Sequence, residues 1–317
     1  MSAATQAGGL SHSLSVKARM WWVAVRPFSF PVSLVPAVLG VAFAWTRGFE
    51  IDPLLAFLTA FGAVAAHAGA NLLQDYFDFT SGIDGPGKQG GSGMLVSGTL
   101  SPREIFAASV VAFAMASLVS VPLILRAGSA LLWIVLAGFA LAAGYAVPSR
   151  GLKHYALGDI AVFLAFGAGV TLGSYLVQAG SFSFAPLACG APFGMLVVAV
   201  LLANNIRDAR EDARAGVRTL AVFIGGRAAR ALYIALVLAA FAMPALFAAL
   251  RLVNAGALLS LAAFPSAYGA MRDVWRAPDD SSTETAHADE RTAKIALIYG
   301  ALMAIGMVAW KLLEGGV

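Results

Sequence analysis

Residues 71–79 read NLLQDYFDF and stand at the end of a long apolar run. In a helix, Asn71, Asp75 and Asp78 are spaced i, i+4 and i+7, which places an amide and two carboxylates on one face. Ionisable side chains near the end of a membrane-length segment are rare and usually functional. This stretch therefore predicts a membrane-spanning helix that carries a polar site at its end.

The composition of the whole chain supports a membrane setting. The sequence has 317 residues, 60% of them hydrophobic and only 12% charged, with a mean hydropathy of +0.80. A soluble domain of this size carries roughly a quarter charged residues, so the surplus apolar surface needs a lipid bilayer as solvent. The basic residues stand beside apolar segments rather than in a stripe, so the net charge of +4 does not indicate nucleic-acid binding. A single cysteine, Cys189, excludes an intramolecular disulfide and a multi-cysteine metal site.

Nine apolar segments are long enough to cross a hydrocarbon layer of roughly 30 Å. We expect an all-α, polytopic transmembrane bundle of about nine helices. Residues 1–27 form a polar tail and an interfacial helix, and residues 28–317 form one transmembrane domain with a flexible inner loop at about 275–292. The predicted spans are 28–46, 53–75, 103–125, 129–147, 157–178, 185–206, 231–250, 253–271 and 293–312.

The charges indicate an orientation for these spans. With the N-terminus in the cytoplasm, seventeen of the 21 lysines and arginines fall on the inner side, as the positive-inside rule requires. Fourteen of the 17 carboxylates fall on the same side, which that rule does not require. We therefore expect a multi-pass protein of the cell inner (plasma) membrane whose functional site faces the cytoplasm.

A second copy of the opening pattern closes the sixth predicted span. There Asn204, Asp208 and Asp212 share one helical face with Asn205 beside them, and the first amide and acid repeat the earlier pair at a distance of 133 residues. A solvated helix end would explain either group alone. The same amide-to-acid offset in both groups favours a shared function.

Oxygen ligands on two helices, with no histidine or cysteine among them, suit a hard cation such as Mg2+. Mg2+ commonly bridges carboxylates to substrate phosphates. Lys153, Arg207 and Arg218 fall on the same inner side and could bind the phosphate oxygens that the metal leaves uncovered. A diphosphate clamp beneath an apolar bundle predicts a prenyl diphosphate as substrate.

The two motifs, NLLQDYFDFTSGID (71–84) and NNIRDAREDARAGVRTLAVFIG (204–225), closely resemble the aspartate-rich motifs of the UbiA superfamily of intramembrane prenyltransferases. The chain is most similar to the MenA-like branch, which attaches a polyprenyl chain to 1,4-dihydroxy-2-naphthoate. The stretches RPFSFPVSLVPAVLG (26–40), GGSGMLVSGTLSP (90–102) and LKHYALGDIAVFLAFG (152–167) agree with that branch. The resemblance covers roughly residues 20–225.

The resemblance implies a role for each matching residue. It implies that Mg2+ and diphosphate are held by Asp75, Asp78, Asp208 and Asp212. It implies that Lys153 contacts diphosphate, and that the other substrate-binding residues are Asn71, Asn204, Asn205, Arg207, Arg218, Asp84, Asp159 and Tyr145. Asp159 would orient Lys153 or the acceptor, and Tyr145 would shield an allylic cation or simply pack in the core. Three positions depart from the branch: Gln74 replaces an asparagine, Gly93 an arginine and Val217 a lysine.

The implied activity is Mg2+-dependent transfer of a polyprenyl group from a prenyl diphosphate to an aromatic acceptor, in menaquinone biosynthesis if the acceptor is 1,4-dihydroxy-2-naphthoate. 4-Hydroxybenzoate and homogentisate stay open as acceptors. A secondary transporter is the main rival from another class, but transporters bind ions near the bilayer midplane on broken helices. A CDP-alcohol phosphotransferase would need a D-x-x-D-G-x-x-A-R run, which the sequence lacks.

Overall fold

The structure is a computed structural model that describes residues 17–85, 91–147, 151–277 and 287–315. The regular secondary structure of this part is entirely helical, without a β-strand. Short 3-10 turns, Pro27–Ser29 and Leu152–Tyr155, precede the helices Pro31–Thr46 and Gly158–Ala179, and a π-helical stretch, Phe163–Val170, widens the middle of the latter. The helices are, in chain order, α1 (17–24), α2 (Pro31–Thr46), α3 (Pro53–Thr80), α4 (Pro102–Ala127), α5 (Ser129–Ala146), α6 (Gly158–Ala179), α7 (Leu187–Arg214), α8 (Leu220–Ile224), α9 (Gly226–Ala249), α10 (Phe264–Arg276) and α11 (Ala288–Gly315).

Local sequence signals begin two of the long helices. The Asp52 carboxylate accepts hydrogen bonds from Leu54 N at 2.9 Å and Leu55 N at 3.1 Å, which satisfies two free amides at the start of α3. Ser101 and Glu104 form a reciprocal capping box at the start of α4. Proline occupies the first position of α2, α3 and α4, where its missing N–H leaves no helical hydrogen bond unmade.

Eight helices in the described ranges are long and apolar enough to cross a membrane: α2 with its preceding turn, α3 to α7, α9 and α11. The predicted polytopic all-α fold is confirmed. The two helices that carry the acidic motifs extend beyond their predicted spans, because α3 continues to Thr80 and α7 continues to Arg214. Both acidic motifs therefore lie within the last turns of continuous helices.

The remaining predicted span, 253–271, is helical but divided into a 3-10 stretch, Ala255–Ala263, and α10. The backbones of Gly256 and Gly306 are in direct contact, so a Cβ atom at either position would overlap the other residue's carbonyl oxygen. At one end of the segment, Asn254 Nδ2 donates to the Met307 carbonyl at 2.8 Å. At the other end, the Ala277 carbonyl accepts from Arg230 near the start of α9, at 2.6 Å. The segment therefore runs from one end of the bundle to the other, antiparallel to α9.

A close-packed half of the bundle is formed by α2, α7, α9, the 255–276 segment and α11. A glycine lets two of these helices approach: a Cβ atom on Gly300 of α11 would overlap Val35 Cγ1 of α2. Two tyrosines are fully buried there with their hydroxyls satisfied, Tyr299 by the Ala240 carbonyl at 2.7 Å and Tyr233 by a threonine hydroxyl at 2.8 Å. In contrast, few residues of α3, α4 and α5 are buried, and a large cavity lies against these helices.

The two non-membrane segments differ in part from expectation. Residues 17–24 form a helix with Ala24 packed near Leu72 and Trp22 63% exposed, and its interfacial position stays a prediction; residues 1–16 lie outside the described part. The loop predicted at 275–292 is shorter, because α10 continues to Arg276 and α11 begins at Ala288. Of the intervening segment, residues 278–286 lie outside the described part.

Candidate active site

The first motif lies on α3 with its three predicted residues buried on one face. One carboxylate oxygen of Asp75 forms an ion pair with Arg26, and the other accepts from Ser92 N at 3.0 Å. Gly91, whose φ is +62°, allows the 91–100 segment to approach, since a Cβ atom there would lie 2.8 Å from Asp75 Oδ1. The Asp84 carboxylate borders the same glycine, and its backbone N–H donates to the Asp78 carbonyl at 3.0 Å.

Asp78 has a different cationic partner. Its Oδ1 pairs with the Lys153 ammonium, which lies on the 3-10 turn Leu152–Tyr155 before α6 and is buried. Its Oδ2 accepts a hydrogen bond from Gln74 Nε2 at 3.4 Å. Gln74, which stands where the resembling branch has asparagine, therefore still contacts an aspartate of the motif. A buried carboxylate without a partner would be strongly destabilising, and each ion pair removes that penalty.

Asn71 has a role that its spacing did not indicate. Its side-chain amide donates to the Val25 carbonyl at 3.2 Å and to Ser29 Oγ at 3.1 Å. Ser29 Oγ in turn donates to the Arg26 carbonyl at 2.8 Å. Arg26 itself has φ +55°, an uncommon backbone conformation for arginine. Asn71 therefore holds the turn that directs Arg26 toward Asp75.

The second motif, near the end of α7, is organised around Arg207. The Arg207 guanidinium binds both oxygens of Asp208, at 2.7 and 2.9 Å, in the bidentate geometry that makes such pairs strong. It also donates to Asn204 Oδ1 at 2.6 Å and to Asp289 Oδ2 of α11 at 2.8 Å. Asp212 lies one turn beyond Asp208, half-buried, and its backbone carbonyl accepts from Val217 N at 2.9 Å.

The two motifs lie at the same end of the bundle. Arg26 is within electrostatic range of Asp78 on α3 and of Arg207 on α7. Tyr145, at the end of α5, is within electrostatic range of Asp78 and Asp212. Both motifs thus lie within electrostatic range of Tyr145.

A cavity of about 880 Å³ opens from this end of the bundle. Its polar end is lined by Arg26, Asn71, Gln74, Asn204 and Asp289. Its long walls come from α3, α4, α5 and α6 and consist mostly of alanine, glycine and larger apolar side chains. Its volume lies within the range of pockets that enclose a small-molecule ligand. The arrangement can hold a charged group at the motifs and a hydrocarbon chain among the helices.

A second cavity, of about 10 Å³, lies between Tyr145, Lys153, Asp159, Asn205 and Thr219. Asp159 Oδ1 and Thr219 Oγ1 are buried and have no hydrogen-bond partner. Asp159 and Asn205 therefore share a small polar cavity with Lys153.

Several residues differ from their predicted positions or were not predicted. The Arg218 side chain is exposed, and its backbone carbonyl accepts from Ala156 N at 3.1 Å; Val217 is buried. Gly93 has φ +73°, a conformation that disfavours the expected arginine. The spacing of the motifs did not indicate Arg26 or Asp289, although Arg26 opens one of the stretches that carry the resemblance.

His154, next to Lys153, adds no charge to the site. The side chain is buried, and both ring nitrogens lack a hydrogen-bond partner. Burial lowers the pKa of its imidazole, and the neighbouring Lys153 ammonium lowers it further. The cationic groups around Asp78 are therefore Lys153 and Arg26.

The donor set fits a hard metal ion, but the carboxylates are engaged with cations. In the ranges that the structure describes, no group of three or more histidine, cysteine, aspartate or glutamate side chains is close enough to hold a metal. Asp75, Asp78 and Asp208 are paired with Arg26, Lys153 and Arg207 instead. Their oxygen-only chemistry suits Mg2+. Metal binding at these residues therefore requires an exchange of partners.

Solved structures share this fold at low sequence identity. A UbiA homolog from Aeropyrum pernix K1 in its apo form superposes with a TM-score of 0.66 at 19% identity, covering 88% of this chain and 97% of that chain. A UbiA homolog from Archaeoglobus fulgidus bound to GPP and Mg2+ has a TM-score of 0.62 at 16% identity, covering 94% and 100%.

Sequence comparison extends over nearly the whole chain. The UbiA prenyltransferase domain-containing protein 1 of Xenopus tropicalis is 29% identical over 298 residues, which is 93% of this chain and 84% of the relative. The human protein of the same name is 29% identical over 294 residues, with coverage of 92% and 84%. Residues 33–298 match the profile of the UbiA prenyltransferase family. The chain therefore belongs to the UbiA prenyltransferase family, a class of membrane enzymes that transfer prenyl groups.

Proposed function

We propose that this prenyltransferase transfers a polyprenyl group from its diphosphate to 1,4-dihydroxy-2-naphthoate, in a Mg2+-dependent reaction of menaquinone biosynthesis. The observation that carries the proposal is that Asn71 and Asn204, the first residues of the two acidic motifs, both line the polar end of an apolar cavity of about 880 Å³. A charged head and a long hydrocarbon tail are the two parts of a prenyl diphosphate.

Asp75, Asp78, Asp208 and Asp212 would hold Mg2+ in this reaction. Bound Mg2+ supplies positive charge that stabilises the departing diphosphate. A homolog of the same fold is described as bound to GPP and Mg2+, which supports the assignment. The oxygen-only donor set of this chain is consistent with it.

Arg26, Lys153 and Arg207 would turn from the carboxylates to the diphosphate oxygens when substrate binds. Charge-assisted hydrogen bonds from these groups strengthen as the C1–O bond breaks and negative charge grows on the leaving group. The bonding pair leaves with the diphosphate, and C1 becomes an allylic cation. Each such donor contributes roughly 3–4 kcal/mol to lowering the barrier.

The apolar walls then protect the cation from water, which would otherwise capture it. Tyr145 lies at the boundary between the motifs and the apolar cavity, where its ring can face the cation. The π electrons of the acceptor ring form the new C–C bond. The ring regains aromaticity when it loses a proton or its carboxyl group as CO2.

The acceptor and the membrane orientation rest on sequence. The stretches that agree with the MenA-like branch favour dihydroxynaphthoate, and 4-hydroxybenzoate and homogentisate are the alternatives. The excess of arginine and lysine at the motif end supports a cytoplasmic site, a cytoplasmic N-terminus and location in the cell inner membrane.

Incubation of membranes containing the protein with labelled geranylgeranyl diphosphate, Mg2+ and a panel of aromatic acids tests the proposal. We expect a prenylated product with dihydroxynaphthoate and none from the variant Asp208→Ala. If product forms with only one other acid of the panel, that acid is the acceptor instead of dihydroxynaphthoate. Product that forms without Mg2+, or an Asp208→Ala variant of undiminished activity, would overturn the site assignment.

A further inference from the structure

A polar side chain stands in the apolar wall of the large cavity. His67 lies near the middle of α3, one turn before Asn71, and is buried. Its imidazole packs against Phe30 and Phe166, with distances between ring centroids of 6.0 and 5.0 Å. Ionisable side chains inside a membrane-spanning helix are rare and usually functional. The acidic motifs do not include His67, so its function has to follow from its own contacts.

Both ring nitrogens of His67 are engaged by serine hydroxyls. Ser33 Oγ of α2 lies 2.6 Å from Nδ1, and Ser29 Oγ of the preceding 3-10 turn lies 3.4 Å from Nε2. A buried imidazolium would need a carboxylate partner, and the ring forms no hydrogen bond with a carboxylate in the described ranges, so it is neutral. Ser29 gives its single hydroxyl proton to the Arg26 carbonyl, at 2.8 Å, so its oxygen can only accept from the ring. Nε2 therefore carries the proton, and Nδ1 accepts from Ser33.

Ser29 is the point at which these hydrogen bonds reach the candidate active site. Its oxygen also accepts from the Asn71 amide at 3.1 Å, so its one donor and two acceptor sites are all used. The carbonyl that Ser29 binds belongs to Arg26, whose backbone is left-handed with φ +55° and ψ +61°. A left-handed conformation is strained for a residue other than glycine and persists only where the surrounding contacts hold it. His67 is one of those contacts, through Ser29.

We propose that His67 is a positioning residue for Arg26, and that it acts through Ser29 by holding the turn that carries the guanidinium. The inference rests on the proposed function, in which Arg26 stabilises the leaving diphosphate. Arg26 needs this support, because its Nε is buried without a hydrogen-bond partner in the described part and its ion pair with Asp75 would break when substrate binds. The backbone turn then fixes the place of the guanidinium. Since both ring nitrogens are occupied, His67 has no free site for a molecule in the cavity.

A double-mutant cycle tests this role, with rates of transfer from geranylgeranyl diphosphate to dihydroxynaphthoate by the full-length protein in the presence of Mg2+. His67→Phe keeps an aromatic ring between Phe30 and Phe166 and removes both hydrogen bonds. It should lower kcat at least about tenfold, because a misplaced guanidinium stabilises the leaving group poorly. In the background of Arg26→Met, the same change should lower kcat less than threefold, since no guanidinium remains to be positioned. A merely structural role would give equal losses in both backgrounds.

Two amide variants test the direction of the hydrogen bonds. The side chain of His67→Gln can place an N–H near the position of Nε2 and donate to Ser29, so kcat should stay within threefold of wild type. The shorter side chain of His67→Asn reaches only the position of Nδ1 and should lower kcat as much as His67→Phe. Ser109→Ala is the matched control, because Ser109 is buried and donates to the Gly69 carbonyl of α3 at 2.9 Å but does not line the cavity. It should keep kcat within twofold of wild type.

Equal losses in the wild-type and Arg26→Met backgrounds, or a loss in His67→Gln as large as in His67→Phe, would overturn the role of His67. Nitrogen NMR of histidine-labelled wild type reads the tautomer without substrate, and the spectrum of His67→Phe assigns the resonance. We expect the Nε2-protonated ring, and an Nδ1-protonated ring would also overturn the inference. Absence of product from wild type with every acid of the panel would instead overturn the proposed function together with this inference.

Discussion

Lys153 and Arg218 were both expected to contact diphosphate, and the structure separates them. Lys153 is buried and pairs with Asp78, whereas the Arg218 side chain is exposed. We predict that Lys153→Met, which keeps the apolar stem and removes the charge, abolishes most of the turnover. Arg218→Met removes a cation from the same end of the bundle and should retain at least a third of the wild-type kcat.

The size of the Lys153 effect follows from two opposing terms. Loss of one donor to the developing charge lowers kcat about 100- to 1000-fold, or roughly 3–4 kcal/mol. Loss of the ammonium also frees Asp78 Oδ1 for Mg2+ and removes the repulsion between the ammonium and the metal ion. At a separation of 4 Å and an effective dielectric constant of 20, each pair of unit charges repels by about 4 kcal/mol. The variant should therefore be slow at saturating Mg2+ and yet reach saturation at a lower Mg2+ concentration.

Initial rates of prenyl transfer across a Mg2+ titration measure both effects. Misfolding would lower the rate without moving the Mg2+ half-saturation point, so the shift identifies an effect at the site. Lys153→Arg should recover part of the rate, because the charge is kept and the geometry changes. Retention of more than a third of the rate by Lys153→Met, or an equal loss in Arg218→Met, would refute the assignment.

Four further perturbations test other parts of the structure. Asp208→Asn weakens the bidentate pair with Arg207 and should lower kcat at least about 100-fold. EDTA should stop wild-type turnover reversibly. Product that forms in the presence of EDTA would contradict the Mg2+ requirement. Thr219→Val replaces a buried hydroxyl that has no hydrogen-bond partner. Its free energy of unfolding, measured by thermal unfolding in detergent, should therefore differ from that of wild type by less than about 1 kcal/mol. A larger loss of stability would indicate a hydrogen bond to Thr219. Gly256→Ala should destabilise by about 1–3 kcal/mol in the same measurement because of overlap with Gly306, while Gly269→Ala, with open space around its Cβ, should not.

Local patterns in the sequence predicted most of the long helices and the helical face that carries the first acidic motif. Hydropathy located the long helices because a membrane span is a property of about 20 consecutive residues. Helical spacing placed Asn71, Asp75 and Asp78 on one buried face because that geometry depends only on the period of the helix. The division of the 253–271 segment was not predictable in this way, because it depends on contact between Gly256 and the distant Gly306.

The partners of the motif residues were the least predictable part. Arg26 pairs with an acid 49 positions away, and Arg207 with Asp289 at a separation of 82. No local period connects such residues, so only the packing of α3 against the N-terminal turn and of α7 against α11 brings them together. Asn71 shows the same limit, since its position on the face was predicted but its hydrogen bonds to Val25 and Ser29 were not.

These pairings explain how an acidic site can exist in an apolar bundle before substrate arrives. Arg26, Lys153 and Arg207 each neutralise one buried or half-buried carboxylate, which avoids the penalty of an unpaired charge. If Mg2+ bound alone, it would take the carboxylates and leave these three cations without partners in the interior. If diphosphate bound alone, it would take the cations and leave the carboxylates without partners. In the proposed function both would bind together: each carboxylate would exchange an ammonium or guanidinium for a metal ion, and each cation would exchange a carboxylate for a phosphate oxygen. Metal and diphosphate should therefore strengthen each other's binding, and by linkage the coupling must be equal in both directions.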